Sequence, residues 1–438
     1  MQATPDQEIR KHIRNELNHQ DKRRSAVLSW CVGLVGCFLV VLMLRSVDLG
    51  SNLPFEGGSG LADDPWQIAT AQQLNSVRFY PEGHFILTAD IDLNVAPFNF
   101  DFGWVPIGDG QVVFMGTFDG NDKTIHNLYI NRSGAYQGLF GYTEEAVISN
   151  FTLDNVDVTG TIYVGGLIGY SGISTIVRNS SVEGSVSGDF SVFYPTFDGF
   201  SVGGLVGINA EGSLVNNSHA AVSVKGNTYI GGLVGHNTDS STITNSFATS
   251  TVRGVSEVGG LVGRNSTAAT ILRSYATGTV SGNSYVGGLV GDLEAATIEN
   301  SYATGFVTGI NSVGGLVGAS TFPTITNSYS ASPVRGENNI GGLVGVSLDD
   351  STITNSFWDV DVSGVDVSAG GIGKPTEEMI IRSTYADAGW DFETVWEIEE
   401  NVTYPERIAM NDNDNDNDSE NDHDRRNGGG CFVNVFQQ

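Results

Sequence analysis

The sequence predicts an all-β protein whose main body is a parallel β-solenoid (β-helix) of about 28-residue coils. Three observations support this prediction: a glycine-rich motif returns at a nearly fixed spacing, two further motifs share its period, and no helical periodicity separates them between residues 137 and 373. Each period holds three short strand-like pieces with alternating polarity, which cannot bury an apolar face alone. When coils stack, each coil buries its apolar face together with its neighbours.

The first motif, GGLVG or a close variant, recurs at spacings of 38, 28, 28, 28, 27 and 27 residues. Degenerate copies flank the series at Gln137 and Gly370. A phosphate-binding loop occurs once, between a strand and a helix, and carries Lys-Ser/Thr. This motif repeats without either feature, so we interpret it as a turn followed by an inward strand and expect no nucleotide. Its copies begin at Gly165, Gly203, Gly231, Gly259, Gly287, Gly314 and Gly341.

The other two motifs define further columns along the rod. TITNS-like segments place an Asn at residues 179, 217, 245, 300, 327 and 355, with Arg273 as the exception, and Val-x-Gly recurs once per period. The Leu and Val of GGLVG, the Ile of TITNS and this Val should point inward as apolar columns. Glycine serves where a corner needs positive φ or leaves no room for Cβ. We expect an amide ladder from the Asn column and an aromatic ladder from Tyr275, Tyr302 and Tyr329.

The ends of a solenoid need caps, because they expose unpaired strand edges. Thr70 and Gln73 form a capping-box pattern for a short helix through Val77. Residues 84–136 are expected to form one or two irregular first coils. At the other end Pro375 and acidic residues favour a helix start. The aromatic residues that follow should shield the last coil; they are Trp390, Phe392 and Trp396.

The solenoid is preceded by one predicted transmembrane helix. Residues 25–44 are apolar and uncharged over the length that a bilayer core requires. Basic residues cluster before this segment, which places the N-terminus in the cytoplasm and residues 48–438 outside it. We favour an uncleaved signal anchor; a cleaved secretory signal and a lipoprotein-type site at Cys37 stay open as alternatives. The body is exported in all three cases, to the cell surface or periplasm, or secreted.

Charge and cysteine content exclude several functions. The net charge of −29 divides into +3 over residues 1–47, −27 over residues 48–410 and −5 over residues 411–438. An acidic body repels phosphate backbones, so nucleic acid is not an expected partner. The body contains no cysteine, hence neither a disulfide framework nor a thiolate metal site. The tail "NDNDNDNDSENDHD" lacks the Gly and Glu of a calcium loop and is interpreted as a solvated spacer.

The repeats, typified by "VGGLVG", resemble the GLUG-motif family of large bacterial surface and secreted proteins, which includes filamentous-haemagglutinin-like adhesins and some secreted peptidases. The flanking segments "GSGLADDPWQIATAQQLNSV", "GTFDGNDKTIHNLYI" and "GWDFETVWEI" are also similar to segments that border such repeats. The resemblance covers roughly residues 58–408. It implies export and a surface role, and it supplies no catalytic residues.

One insertion interrupts the regular spacing, and it is the predicted ligand-binding site. Ten extra residues lie within "GDFSVFYPTFDGF" and should protrude from a corner of the rod. Exposed aromatic side chains with few charges suit sugar stacking or protein docking; the alternative is that the loop folds back and buries its own rings. The candidate residues are Phe190, Phe193, Tyr194, Phe197 and Phe200.

No motif for a nucleophile or a catalytic metal is present, and no cofactor is expected. The enzyme alternative is a polysaccharide-degrading β-helix, which needs two or three carboxylates on one face. Asp90 and Asp92 lie on the same face of a strand, because side chains alternate between faces. Asp101, Asp119 and Asp122 lie in the same pre-repeat region. The competing interpretation is that these residues cap turns.

The sequence therefore predicts a non-catalytic, exported surface protein that binds a glycan or an extracellular protein. A polysaccharide-degrading enzyme and a purely structural spacer are the alternatives. The predicted organisation is a cytoplasmic basic segment, the anchor, a linker, an N-terminal cap with irregular coils, the GLUG-repeat solenoid, a C-terminal cap and an acidic disordered tail. These segments comprise residues 1–24, 25–44, 45–60, 61–136, 137–373, 374–410 and 411–438.

Overall fold

The computed structural model describes residues 54–188 and 200–408, and in them the chain winds into a parallel β-solenoid. The predicted anchor at 25–44 and the acidic tail lie outside these ranges. Within them, no helix is both long enough and apolar enough to span a membrane. The predicted fold of the body is confirmed.

Two sheets, here called the first and second sheets, flank the GGLVG motif; each has eight strands within the described ranges. The first sheet runs into the motif and the second leaves it. The first sheet comprises Ala135–Gln137, Ile162–Gly165, Val202–Gly203, Thr228–Gly231, Ser256–Gly259, Ser284–Gly287, Asn311–Gly314 and Asn338–Gly341. The second comprises Phe140–Glu144, Ile168–Gly172, Val206–Asn209, Val234–Asn237, Val262–Ser266, Val290–Glu294, Val317–Thr321 and Val344–Ser347.

The third sheet carries the rest of every coil and all the named strands before residue 135. It has 25 strands in the described part of the chain, so a regular coil holds up to five short strands where three pieces were predicted. The strands are Trp66–Ile68, His84–Leu87, Ile91–Asp92, Thr117–His126, Tyr129–Asn131, Val147–Gly160, Ile176–Arg178, Ser181–Gly188, Leu214–Asn216, His219–Lys225, Thr242–Thr244, Phe247–Ala248, Thr251–Arg253, Thr270–Leu272, Tyr275–Ala276, Val280–Ser281, Thr297–Glu299, Tyr302–Ala303, Val307–Thr308, Thr324–Thr326, Tyr329–Ser330, Val334–Arg335, Thr352–Thr354, Phe357–Asp359 and Ile372–Lys374.

Short helices and one hairpin occupy the ends. The predicted capping box is present: Thr70 accepts from the backbone N–H of Gln73, whose side chain accepts from the N–H of Thr70. The hairpin pairs Trp396–Glu397 with Glu406–Arg407. The α-helices are α1 (Ala71–Ser76), α2 (Val360–Ser363), α3 (Thr376–Met379) and α4 (Arg382–Ala386), and a 3₁₀ turn, Val77–Phe79, follows α1.

Equivalent residues of successive coils stack in register, which builds the predicted apolar columns. Val262 pairs with Val290, Ile271 with Ile298 and Val280 with Val307. These side chains and the Leu column of GGLVG are fully buried. Because burial of each aliphatic side chain contributes about 1.5–3 kcal/mol, the columns are the main source of stability.

The glycines of GGLVG are required by close backbone approach, and not by positive φ. A Cβ on Gly259 would clash with the carbonyl oxygen of Val262, and one on Gly260 with that of Gly288 in the next coil. Positive φ falls instead on other residues: Asn245 (φ 51°) turns the TITNS corner and Glu257 (φ 55°) precedes the double glycine. Asn adopts this region at little cost, which explains the Asn column.

The predicted asparagine ladder is confirmed only over the first coils. Asn179 donates to Asn150 at 3.0 Å and Asn217 donates to Asn179 at 2.9 Å, whereas Asn245 turns to Asn216. A second, buried ladder was not predicted. It joins Asn209, Asn237 and Asn265 through 2.8 Å hydrogen bonds at the end of the second sheet. All three side chains are fully buried.

The aromatic ladder is confirmed and is longer than predicted. Tyr275, Tyr302 and Tyr329 stack with ring centroids 4.8 and 5.0 Å apart, close to the spacing of adjacent strands. His219 and Phe247 extend the stack at 4.7 and 4.9 Å. The stack is therefore a product of strand register, and it accepts any planar ring.

Residues 390–408, here called the C-terminal strap, shield the last coil as predicted but also run back along the aromatic ladder. Trp390 donates to the carbonyl of Asn355 at 2.8 Å, and Tyr329 donates to that of Pro405 at 2.8 Å. Arg407 reaches the carbonyl of Arg273 at 2.6 Å and Asn245 at 3.2 Å. The strap therefore covers several coils as well as the rod's end.

Candidate binding cleft at the N-terminal cap

The insertion predicted to bind ligand lies largely outside the described residues. Phe190, Phe193, Tyr194 and Phe197 fall in that part, and their role stays a prediction. Phe200 is described and is buried, with 8% of its surface exposed. This ring belongs to the solenoid wall and offers no exposed face.

The candidate carboxylates act as turn acceptors. Asp90 accepts from the backbone N–H of Thr124 at 2.9 Å. Asp92 accepts from Asn127 and from the backbone of Asn94, both at 2.8 Å, and these bonds hold its pKa below the ordinary value. Catalytic acids show the opposite shift.

Asp119 is held in the same way, by the N–H of Asn121 and the side chain of Asn150, both at 2.8 Å. Asp101 and Asp122 occupy left-handed backbone positions with φ of 54° and 53°. Among the residues that the structure describes, no cluster of His, Cys, Asp and Glu suits a metal ion. The carboxylate geometry supports the capping interpretation.

A cleft of about 460 Å³ lies between α1 and the loop of residues 94–106, here called the phenylalanine loop. Gln72 and Asn75 line it from the helix, and Phe100 and Phe102 line it from the loop. This volume is in the range of small-molecule sites.

Of the four aromatic residues of the phenylalanine loop, the outer two face inward and the middle two face solvent. Phe98 and Trp104 are buried, at 6% and 0% exposure, whereas Phe100 and Phe102 are 50% and 64% exposed. Trp104 donates from Nε1 to the carbonyl of Leu139 at 3.1 Å and packs 5.2 Å from the ring of Phe98. The inward pair anchors the loop and leaves the outward pair in solvent.

The backbone of the loop is fixed by its own turn and by the neighbouring strand. Asp101 and Gly103 both have positive φ, 54° and 67°. A Cβ on Gly103 would clash with the carbonyl of Tyr129, so only glycine fits. The N–H of Trp104 donates to that same carbonyl at 2.7 Å.

Two arginines hold the loop from below. Arg78 donates to the carbonyl of Val105 at 2.7 Å, and Arg132 donates to the carbonyls of Trp104 and Gly103 at 2.8 and 2.9 Å. Burial lowers the pKa of Arg78 to about 10, with the nearby Arg132 as a smaller cause, and burial also lowers the pKa of Arg132. Both side chains stay cationic at neutral pH, and their charge is directed at backbone carbonyls.

Polar groups border the rings on both sides of the cleft. Gln72 is exposed and Asn75 is half-buried on α1, and Asp101 is exposed on the loop between the two rings. Within residues 54–188 and 200–408, no hydrogen bond involves the side chains of these three residues. The cleft therefore offers two rings and a carboxylate on the loop side and two amide groups on the helix side.

The sequence analysis missed this cleft, although it named Asp101 as a carboxylate. The available signal was "FNFDFGW", in which four aromatic residues alternate with other residues outside the repeat period. In an extended strand this alternation would place all four rings on one face. The structure instead buries the outer two and exposes the middle two, because positive φ at Asp101 and Gly103 breaks the strand geometry. Nothing in the pattern reveals the arginines, because Arg132 lies 28 residues from Trp104 in the chain.

A second polar cluster, on the rod, is centred on Arg264 and three acidic side chains. Arg264 donates to Tyr229 at 3.1 Å, lies 3.5 Å from Glu257 and 3.7 Å from Asp292, and also pairs with Glu294. Burial alone would lower the pKa of Arg264, but the surrounding acidic groups raise it above its ordinary value. This cluster is a structural ion network and not a ligand site.

The model of the GLUG motif matches four segments of the chain, at residues 160–187, 226–253, 254–281 and 282–308. Each segment corresponds to one coil of the rod. The class of protein is thus a β-solenoid, and four of its coils match the GLUG motif that the sequence resemblance indicated.

Two curated relatives match part of the chain. Over 153 residues it is 38% identical to a protein of Evansella cellulosilytica named as a Gly-rich membrane protein, covering 33% of this chain and 18% of the relative. Over 140 residues it is 36% identical to halomucin of Haloquadratum walsbyi, covering 30% of this chain and 2% of halomucin. The chain therefore matches only a small part of the length of either relative.

Two solved structures are similar in outline. One, from Bacteroides ovatus and named as an immunoglobulin A1 protease, is 20% identical with a TM-score of 0.47 and covers 81% of this chain and 95% of its own. Another, named IgA1 Protease, is 17% identical with a TM-score of 0.40 and covers 76% of this chain and 24% of its own. Neither likeness bears on the activity of this chain.

Proposed function

We propose that this protein is an exported surface protein in which a rigid solenoid presents a non-catalytic binding site to a glycan or an extracellular protein. The names of the two relatives, a membrane protein and halomucin, support a location at or near the cell surface. The apolar segment at 25–44 serves as the membrane anchor in this proposal.

The observation that carries the proposal is the phenylalanine loop. Phe100 and Phe102 leave half or more of their surface in solvent on a loop whose backbone is held by Arg78 and Arg132. Exposed aromatic groups reduce solubility and favour association, so a rigid, concave display of them indicates a binding surface. A rigid loop also loses little conformational entropy when a ligand binds.

The two alternatives have less support. A polysaccharide-degrading enzyme needs a carboxyl group poised as an acid, whereas Asp92 and Asp119 are engaged as acceptors in turns. A structural spacer needs no display of exposed rings. The insertion that contains Phe190 and Phe193 stays a second candidate binding element.

Retention on immobilised ligands tests the proposal. The full-length protein in detergent would be applied to an array of polysaccharides and extracellular matrix proteins, beside a variant that lacks residues 189–199. We expect selective retention that survives this deletion, because the cleft lies at the N-terminal cap. Retention lost with the deletion would move the site to the insertion. Absence of retention on the whole array, together with full folding by circular dichroism, would favour the spacer.

A further inference from the structure

The chemistry of the cleft also points to the class of ligand, if the proposed binding function holds. We infer that the cleft binds an uncharged polysaccharide, whose sugar rings pack on Phe100 and Phe102 while their hydroxyl groups bind the polar rim. The inference rests on three observations: the chemistry of the residues that line the cleft, the hydrogen bonds that Arg78 and Arg132 make to backbone carbonyls, and the net charge of the protein.

The lining matches the two-sided chemistry of a sugar. A pyranose ring presents C–H groups on its faces, which pack on aromatic rings, and hydroxyl groups around its edge, which donate and accept hydrogen bonds. Phe100 and Phe102 supply the apolar surface. The amides of Gln72 and Asn75 both donate and accept, and the carboxylate of Asp101 accepts.

The cationic groups near the cleft are directed mainly at backbone carbonyls. Arg78 donates from all three guanidinium nitrogens, to the carbonyls of Asn75, Pro106 and Val105. Arg132 also lines the cleft, but it donates from two of its three nitrogens to the carbonyls of Trp104 and Gly103 and lies 5.8 Å from the ring of Phe102. A uronate or sulfate group would find the carboxylate of Asp101 on the same rim.

The net charge of the protein strengthens this argument. At −29, the chain repels polyanions such as acidic polysaccharides. An uncharged polysaccharide experiences no such repulsion. An electrically neutral polymer therefore suits both the cleft and its surroundings.

A protein ligand fits less well. Protein interfaces depend on a central pocket in which an anchor side chain is fully desolvated, with a polar rim around it. Here the rings are 50% and 64% exposed and lie beside open amides, so the apolar and polar groups face each other across one shallow site. That arrangement suits a ligand that is itself apolar on its faces and polar at its edges.

Affinity electrophoresis of the full-length protein tests the inference. Native gels containing detergent would carry xylan, glucomannan, mixed-linkage β-glucan or dextran as uncharged probes, and alginate or polygalacturonate as acidic probes. We expect retardation by at least one uncharged polysaccharide and none by the acidic pair. Retardation by the acidic pair alone would overturn the inference.

Matched phenylalanine variants locate the binding. Phe100→Ala and Phe102→Ala should each weaken retardation at least tenfold, whereas Phe322→Ala, at a ring 58% exposed on the repeat region, should change it less than twofold. Equal effects of all three, or none of any, would overturn the inference. Because all three rings are exposed, thermal midpoints should stay unchanged, which separates lost binding from lost folding.

Two further results separate this inference from the proposed function. If no polysaccharide retards the protein but a matrix protein binds it and Phe102→Ala abolishes that binding, the inference is wrong and the binding function stands. If neither polysaccharide nor protein binds, both are wrong.

Discussion

The aromatic ladder and the phenylalanine loop use the same residue type for opposite purposes. In the ladder, Tyr302 lies between rings 4.8 and 5.0 Å away, supplied by the coils before and after it. In the loop, Phe102 has no counterpart one period away and leaves 64% of its surface in solvent. A ring that follows the repeat period thus receives stacking partners from neighbouring coils, whereas Phe102, outside that period, keeps most of its surface open to a ligand.

Removing a ladder ring should have the largest effect on the stability of the repeat region. Tyr302→Ala deletes two stacking contacts and one with Trp396, 6.1 Å away, and should lower the free energy of unfolding by about 3–4 kcal/mol. Tyr285→Ala, at a ring 36% exposed on the same rod, is the matched control and should cost about 1 kcal/mol or less. Urea titrations compare the two. Equal losses would mean that the ladder is a by-product of register and adds little.

A methyl group at the double glycine should have the next largest effect. Gly260→Ala places Cβ against the carbonyl of Gly288 in the next coil, which forces adjacent coils apart and should cost about 2–3 kcal/mol. Gly110→Ala in the N-terminal cap meets only the ring of Tyr136 at 3.4 Å and should change stability by less than about 0.5 kcal/mol. Thermal unfolding of both variants measures the difference. An unchanged Gly260→Ala midpoint would refute the close-approach explanation.

The repeat region should also be sensitive to acid at His236. Burial, and then the charge of Arg264, lower the pKa of His236 from 6.5 to about 3. The unfolded chain takes up this proton first, so the stabilising contribution is complete above pH 6.5 and is lost as the pH falls from there towards 3. Between pH 7 and pH 5 the loss should be about 1–2 kcal/mol.

His236→Phe keeps a ring but removes the titration. The variant should therefore lose about 1–2 kcal/mol less than the parent protein when unfolding free energies at pH 7 and pH 5 are compared. If both proteins lose the same unfolding free energy between pH 7 and pH 5, His236 is not the cause of the acid sensitivity.

The smallest change in stability is expected in the phenylalanine loop. Phe102→Ala removes a ring that is mostly in solvent, so the free energy of unfolding should change by no more than about 0.5 kcal/mol. Trp104→Ala, two residues away, removes a fully buried ring and should cost about 3–5 kcal/mol. Similar losses for the two variants would mean that the exposed ring is part of the core.

The solenoid was predictable because its stability comes from repetition. Residues such as Ile271 and Val280 recur at one register, and a column of buried side chains follows from the period alone. The helix cap at Thr70 was predictable for a different reason, since its partner Gln73 is three residues away. Local contacts and periodic contacts both leave a visible signature in the sequence.

The cleft was not predictable, because it depends on contacts that are neither local nor periodic. Trp104 is anchored to Leu139, 35 residues away, and Arg132 reaches back 29 residues to Gly103. The contacts of the C-terminal strap are even less local, because Arg407 lies 162 residues from its partner Asn245. The extended ladder was missed because His219 is not an obvious member of a column of phenolic rings, although a planar imidazole stacks equally well.

The strap also determines where a mechanical load would enter the rod. Arg407 is bound beside Asn245 and Arg273, in the middle of the repeat region, so a pull on the chain beyond residue 408 acts first there and not on the last coil. The strap would then peel away from the flank, breaking its contacts with successive coils one after another while the coils themselves stay wound. Sequential peeling dissipates work at modest force and leaves the terminal strands intact.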